Sequence, residues 1–217
     1  MTIESLYPFL YGQREDPEAA GAAVFAQLRS STMEKAQEIT ALRRAVLARD
    51  GAQLAACAVR MAAAFAAGGR LFAFGNGGSS TDAADLASRF VDPGPEARPL
   101  PAYALADPAV LTALANDVGF DVAFARHLAV HARPGDIAVG LSTSGNSPNL
   151  IAAFDQAHEL GMLVIGLSGS SGGAMAGLSS LDFHFVMPSD SVHRIQEAQT
   201  TVYHVLWELT LTALGST

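Results

Sequence analysis

Two stretches of this chain crowd glycine, hydroxyl and amide side chains into a turn between an apolar run and a helix. They are FGNGGSSTDAAD (74–85) and LSTSGNSPN (141–149). Glycine lets a backbone come close to a bulky ligand, and exposed N–H groups with Ser or Thr hydroxyls donate hydrogen bonds to anionic oxygens. The dipole of the following helix attracts the same negative charge. The chemistry this favours is the capture of a phosphate. Either loop alone also fits a tight strand-to-helix turn capped by Ser or Asn, but two of them in one small sheet favour the anion site. Neither holds a lysine or the G-x-x-x-x-G-K-S/T string, which argues against a nucleoside triphosphate. Gly75, Gly77 and Gly78 begin like a dinucleotide fingerprint, yet Ser80 stands where its third glycine belongs.

The elements that must hold these loops are legible in the hydrophobic pattern. RLFAFG (70–75), LPAYAL (100–105), DIAVGLS (136–142), MLVIGLS (162–168) and DFHFVM (182–187) are short apolar runs of the kind buried on both faces of a sheet. Helical stretches fall at 79–91, 108–116, 120–131, 147–160 and 172–179, and a last helix runs from about Ser191 to Leu214. This alternation predicts parallel βαβ units in an α/β three-layer sandwich. Ligands of such a sheet bind beyond the carboxyl ends of the strands, where both loops lie. Upstream, about Glu18 to Ala67 reads as helical, with Val24 and Leu28, then Ile39, Leu42 and Val46, at spacings of three and four. Asp50-Gly51 is expected to separate two helices there. Residues 1–18 read as an extension, and 19–217 as a single domain that includes the helical arm.

Composition narrows the class further. The 217 residues suit one domain, and a content of 50% hydrophobic and 16% charged residues excludes overall disorder. Thirteen Lys and Arg against 21 Asp and Glu give a net charge of -8, unsuited to gripping nucleic acid or an anionic membrane. The lone Cys57 has no intrachain partner, which fits a reducing compartment. The N-terminal run lacks a basic start and an apolar core, and Leu160 to Leu181 is too rich in Gly and Ser to span a bilayer. A soluble, cytoplasmic protein is expected.

GNGGSSTDAA (75–84), ANDVGFDVAFARHL (115–128), STSGNS (142–147) and RIQEAQTTVYHVL (194–206) together resemble the sugar isomerase (SIS) domain family, and within it the phosphoheptose isomerase group. The resemblance runs from about Glu34 to Leu214. It implies a flavodoxin-like five-stranded parallel sheet between helices, in a homotetramer with sites between subunits and a phosphorylated sugar as ligand. It also implies that Ser142, Thr143, Ser144 and Ser147, with Ser79, bind the phosphate. Asn76, Gly77 and Gly78 would contact the sugar, and Asn116 and Asp117 form a further substrate-binding pair. Gln196 and His204 match positions on the last helix where the family has a ligand contact and an acid/base histidine. Non-catalytic phosphosugar-binding relatives also belong to this group.

The chain departs from the family at the helix after the first loop. Where the enzymes carry a histidine and, four residues later, a catalytic glutamate, this chain has Asp85 and Arg89. An arginine stays protonated at physiological pH and cannot be a general base. Arg89 would add a fixed positive charge for a second anionic group, or pair with Asp85 across one helical turn. Asp85 is the candidate substitute base, beside His204 as acid/base. Some family members bind zinc here. Of four ligand positions only Gln196 and His204 keep their residue type, so no metal cofactor is expected. The segment PGPEARP (93–99), with Pro101, is expected to form a loop near the site, and a flap or simple entry into the next strand explains it equally well.

Overall fold

A computed structural model describes residues 17–215. The five apolar runs form strands β1 (Leu71–Gly75), β2 (Ala102–Ala104), β3 (Ile137–Leu141), β4 (Leu163–Gly169) and β5 (Phe183–Met187). All pair in parallel, in the order β2-β1-β3-β4-β5. Leu71 stands opposite Ala102 and Ile137, Ile137 opposite Leu163, and Ile165 opposite Phe183. The central strands β1, β3 and β4 are buried along their whole length, which is why their sequences are continuous apolar runs rather than alternations. β2 is shorter than its run predicts. It is an edge strand preceded by Pro99 and Pro101, and Tyr103 leaves half its surface exposed.

The connecting helices are α2 (Gly78–Val91), α3 (Pro108–Asp117), α4 (Ala123–His131) and α5 (Pro148–Glu159), with α6 (Val192–Gly215) last and α1 (Pro17–Ala66) before the sheet. The chain winds outward from β1 to β2 and from β3 to β5. Right-handed crossovers then put helices on both faces. α2 packs against α6 and α4 against α5, giving the two outer layers. Under α4 and α5, Phe74 lies 5.4 Å from Phe124 and 5.5 Å from Phe154, ring to ring. Each such burial contributes about 2 kcal/mol. The predicted helix over 172–179 is only a 3-10 turn, Gly173–Gly177, and another, Phe120–Val122, precedes α4.

The expected break at Asp50-Gly51 is absent: α1 is continuous through it. Asp50 does not cap a new helix because Arg49 holds its carboxylate with two bonds, of 2.7 and 2.6 Å. A glycine inside a helix costs about 1 kcal/mol, too little to end a 50-residue one. The chain divides into a unit through Thr40 and a unit from Ala41 onward that carries the sheet. In the first, the described part is helix, and Val24, Phe25, Leu28 and Met33 are each more than half exposed. The expected N-terminal extension lies outside the described residues as far as residue 16. No helix among the described residues is long and apolar enough to cross a membrane.

Candidate functional site

The strand order reverses between β1 and β3. Connections leaving these two strands diverge to opposite faces and open a crevice at their carboxyl ends. The two loops singled out by composition are those two connections. They are tied together by a reciprocal amide pair: Asn76 Nδ2 donates to Asn149 Oδ1 and Asn149 Nδ2 to Asn76 Oδ1, both at 2.9 Å. Asn149 is buried at the start of α5, and the sequence reading did not single it out.

The second loop is built around Ser142. Its N–H donates to the Leu167 carbonyl (2.9 Å), its hydroxyl accepts from Gly145 N–H (3.1 Å) and meets the Ser147 hydroxyl (3.3 Å), and its carbonyl accepts from Gln199 Nε2 (3.1 Å). Ser144 Oγ takes the Asn146 N–H at 3.2 Å. The main-chain N–H groups of Thr143, Ser144 and Ser147 donate to no acceptor among the described residues. Such a cluster of unmet donors before a helix N-terminus is an anion nest. Behind it lies the turn after β4: Met175 N–H donates to the Gly145 carbonyl (3.0 Å) and Ala174 N–H to Asn146 Oδ1 (2.8 Å). Gly145 sits at φ +67°, and a Cβ there would overlap the Gly172 carbonyl oxygen.

The first loop meets α6. The Gln196 amide lies directly over Gly78, in the space a Cβ would occupy. Ser79 is buried beneath the turn, its N–H bonded to the Asn76 carbonyl at 3.0 Å. About two and three turns further along the same pair of helices is a cluster centred on Asp85. Its Oδ2 accepts from Arg89 Nε at 2.9 Å and from the Tyr203 hydroxyl at 2.8 Å, and lies 3.3 Å from His204 Nε2. The anticipated ion pair between Asp85 and Arg89 is therefore present. Arg89 also lies over the Trp207 ring at 5.8 Å, and Trp207 Nε1 donates to its carbonyl at 2.9 Å. The Tyr203 ring stands edge-on to His204, centroids 5.0 Å apart.

Burial pulls the Asp85 carboxyl up, but the hydrogen bonds from Arg89, Tyr203 and His204 together outweigh it and hold the group below the usual carboxylate range. Burial pushes the Tyr203 phenol well above its ordinary value. A carboxyl held low stabilises the fold fully above the unfolded-chain value of about 3.9, and that contribution is lost as pH falls through the lower folded value. Wild type should therefore be more stable than Asp85→Asn by a constant margin above about pH 5, and the margin should close in more acidic buffer. Melting temperatures of the two across pH 3 to 7 check this, on the order of the range where carboxylates titrate; a margin independent of pH would exclude the ionised carboxylate as its source.

Not every predicted residue joins the crevice. Asn116 and Asp117 are exposed at the end of α3, where Asn116 Nδ2 donates to Asp117 Oδ1 (2.8 Å), and neither bonds to the two loops. The segment 93–99 is not near the loops within the chain, as expected from the sequence, but at the opposite end of the sheet. There Glu96 and Arg98 line a cleft of about 680 Å³ with Phe65, Gly69 and Leu211. The reason is the length of α2, which carries the chain from the carboxyl edge of β1 back to the edge where β2 begins. Among the described residues, no three His, Cys, Asp or Glu side chains converge as a metal site.

Comparison with known proteins agrees with this geometry. The sequence profile of the SIS domain matches residues 36–169. The phosphoheptose isomerase of Desulfovibrio desulfuricans is 44% identical over 171 residues, covering 78% of this chain and 80% of that protein. That of Aquifex aeolicus is 44% identical over 154 residues, 69% of this chain and 78% of its own length. Among solved structures, phosphoheptose isomerase from Neisseria gonorrhoeae superposes with a TM-score of 0.76 at 31% identity, over 88% of this chain and 100% of that one. The five-stranded parallel sheet with its paired loops is the fold expected from the sequence motifs, and the chain belongs to the SIS domain family.

Proposed function

We propose that this chain is a phosphosugar isomerase of the phosphoheptose type, interconverting sedoheptulose 7-phosphate and the corresponding aldose through an enediol. The observation that carries the proposal is the convergence of α6 on both loops. Gln196 lies on the glycine turn, Gln199 on the phosphate loop, and His204 beyond them against Asp85. One rigid element thus spans phosphate grip, sugar contact and acid/base group, and positioning of this kind supplies much of a catalytic effect. Ser142, Thr143, Ser144, Ser147 and Ser79 hold the phosphate, Asn76, Gly77, Gly78 and Gln196 contact the sugar, and His204 moves protons between the two sugar oxygens. Asp85, held ionised by three donors, suits the task of orienting His204 better than that of removing a proton from carbon.

Zinc does not fit. The Asp85 oxygen that faces His204 already accepts from Arg89 and Tyr203, and the fixed positive charge of Arg89 beside it would repel a metal ion. The apolar side chains exposed on α1 support assembly into a homotetramer with sites between subunits. The net charge of -8 argues against a nucleic-acid or anionic-membrane partner, and the lone Cys57 suits a reducing cytoplasm. Incubation with sedoheptulose 7-phosphate, followed by NMR, tests the reading. Aldose should appear at the same rate with and without a chelator, in a species that sediments as a tetramer. Loss of the reaction on chelation would restore the metal.

Arg89 favours a second reading, a phosphosugar-binding regulator that kept the pocket without the chemistry. A ligand-induced thermal shift with no interconversion would decide for it.

A further inference from the structure

Helices α2 and α6 lie side by side in a constant register. Gly78 meets Gln196, Asp85 meets Tyr203 and Arg89 meets Trp207, and in each pair the two residue numbers differ by 118. On α2 these contacts mark one stripe, and its remaining position is Asp82, four residues after Gly78 and three before Asp85. The same register sets Asp82 opposite Thr200, whose hydroxyl is spent on the Gln196 carbonyl at 3.0 Å. Along the helix axis, Asp82 is about 6 Å from the glycine turn and about 4.5 Å from Asp85.

Asp82 has no hydrogen-bond donor among the described residues. Its Oδ2 is enclosed and unpartnered, although the residue as a whole is only half-buried. Leaving a polar group in that condition costs about 1–3 kcal/mol, more for a charged one. Nothing in the packing of the seam repays it: Asp85, one turn on, has three donors and Asp82 none. Groups kept unsatisfied in a folded protein call for an explanation in function.

We propose that Asp82 is the general base of the isomerisation, standing on the stripe that Arg89 leaves without one. The assignment rests on the reading of the chain as an isomerase. From the ketose, the Asp82 carboxylate takes a proton from C1. The C1–H electron pair becomes the C1–C2 double bond, and the C2 carbonyl pair moves to O2, which takes a proton from the His204 imidazolium. His204 then removes the O1 proton, C1 becomes the carbonyl carbon, and Asp82 returns its proton to C2. No co-reactant is consumed.

The electrostatics of the stripe agree. Burial, and after it the negative charge of Asp85, push the Asp82 carboxyl above the ordinary carboxylate range, whereas Asp85 is held below it. Two carboxyls driven apart in this way divide the work, one exchanging protons and the other remaining an ion.

The test uses the full chain and its near-isosteric Asp82→Asn variant, with sedoheptulose 7-phosphate in deuterated water. Deuterium incorporation at C1 should fall at least ~100-fold in the variant while the thermal shift on ligand binding is kept. Asp82→Glu, which keeps the carboxylate, should recover part of the rate, and it serves as the probe if the amide variant does not fold. Incorporation by Asp82→Asn at the wild-type rate overturns the assignment and leaves the isomerase reading standing. A variant that only raises KM, with kcat unchanged, also overturns it. Wild type that binds the sugar but incorporates no deuterium removes the isomerase reading itself, and Asp82 as its base with it.

Discussion

Replacing Gly145 with alanine is expected to abolish phosphosugar binding and to destabilise the fold by about 3 kcal/mol, roughly 10 °C in melting temperature. Two costs combine at this residue. The backbone is at φ +67°, where an L side chain is strained, and a Cβ would overlap the Gly172 carbonyl oxygen. A flexible neighbour would give way, but the neighbour here is backbone, fixed by the Met175 and Ala174 hydrogen bonds to the same loop. Gly145 N–H is also the donor that holds the Ser142 hydroxyl. Moving it turns the nest of Thr143, Ser144 and Ser147 amides away from a common point, and a displacement near 1 Å costs on the order of 100-fold in such a site. Titration calorimetry with a phosphosugar and thermal denaturation measure the two effects. Gly177→Ala is the control: nothing lies within contact of its Cβ, and it should leave both quantities unchanged.

Replacing His204 with alanine should have the largest effect on turnover, a loss of ~10²–10⁴-fold with little change in affinity. His204 makes no bond to the phosphate loop, so truncating it leaves the amide nest intact. It does remove one of the three partners of the Asp85 carboxylate, leaving Arg89 and Tyr203 in place. Steady-state kinetics should thus show kcat falling and KM held. A rise in KM alone would make His204 a ligand contact rather than an acid/base group.

The fold and the phosphate loops are legible in the chain because their signals are local. A strand buried on both faces must be a continuous apolar run, as in VIGL (164–167), and a loop that grips an anion must be small and polar, as in STSGNS (142–147). The seam between α2 and α6 is not legible in that way. Tyr203 and Trp207 read as core residues on an amphipathic helix, and only the register with α2 brings them to Asp85 and Arg89. Asp82 carried a signal that went unused: with Gly78, Asp85 and Arg89 it forms a stripe at spacings of four, three and four, unusual in being polar on a face that packs. The continuity of α1 through Asp50-Gly51 depends on Arg49 satisfying the Asp50 carboxylate, a contact that residue propensity does not encode.

A pocket with Arg89 at the family's base position is expected to perform enediol chemistry all the same. The most direct measurement is solvent deuterium incorporation into sedoheptulose 7-phosphate, followed by NMR without added metal, for wild type against His204→Ala. Wild type should incorporate deuterium well above the variant. Binding of the sugar with no incorporation by wild type would contradict it.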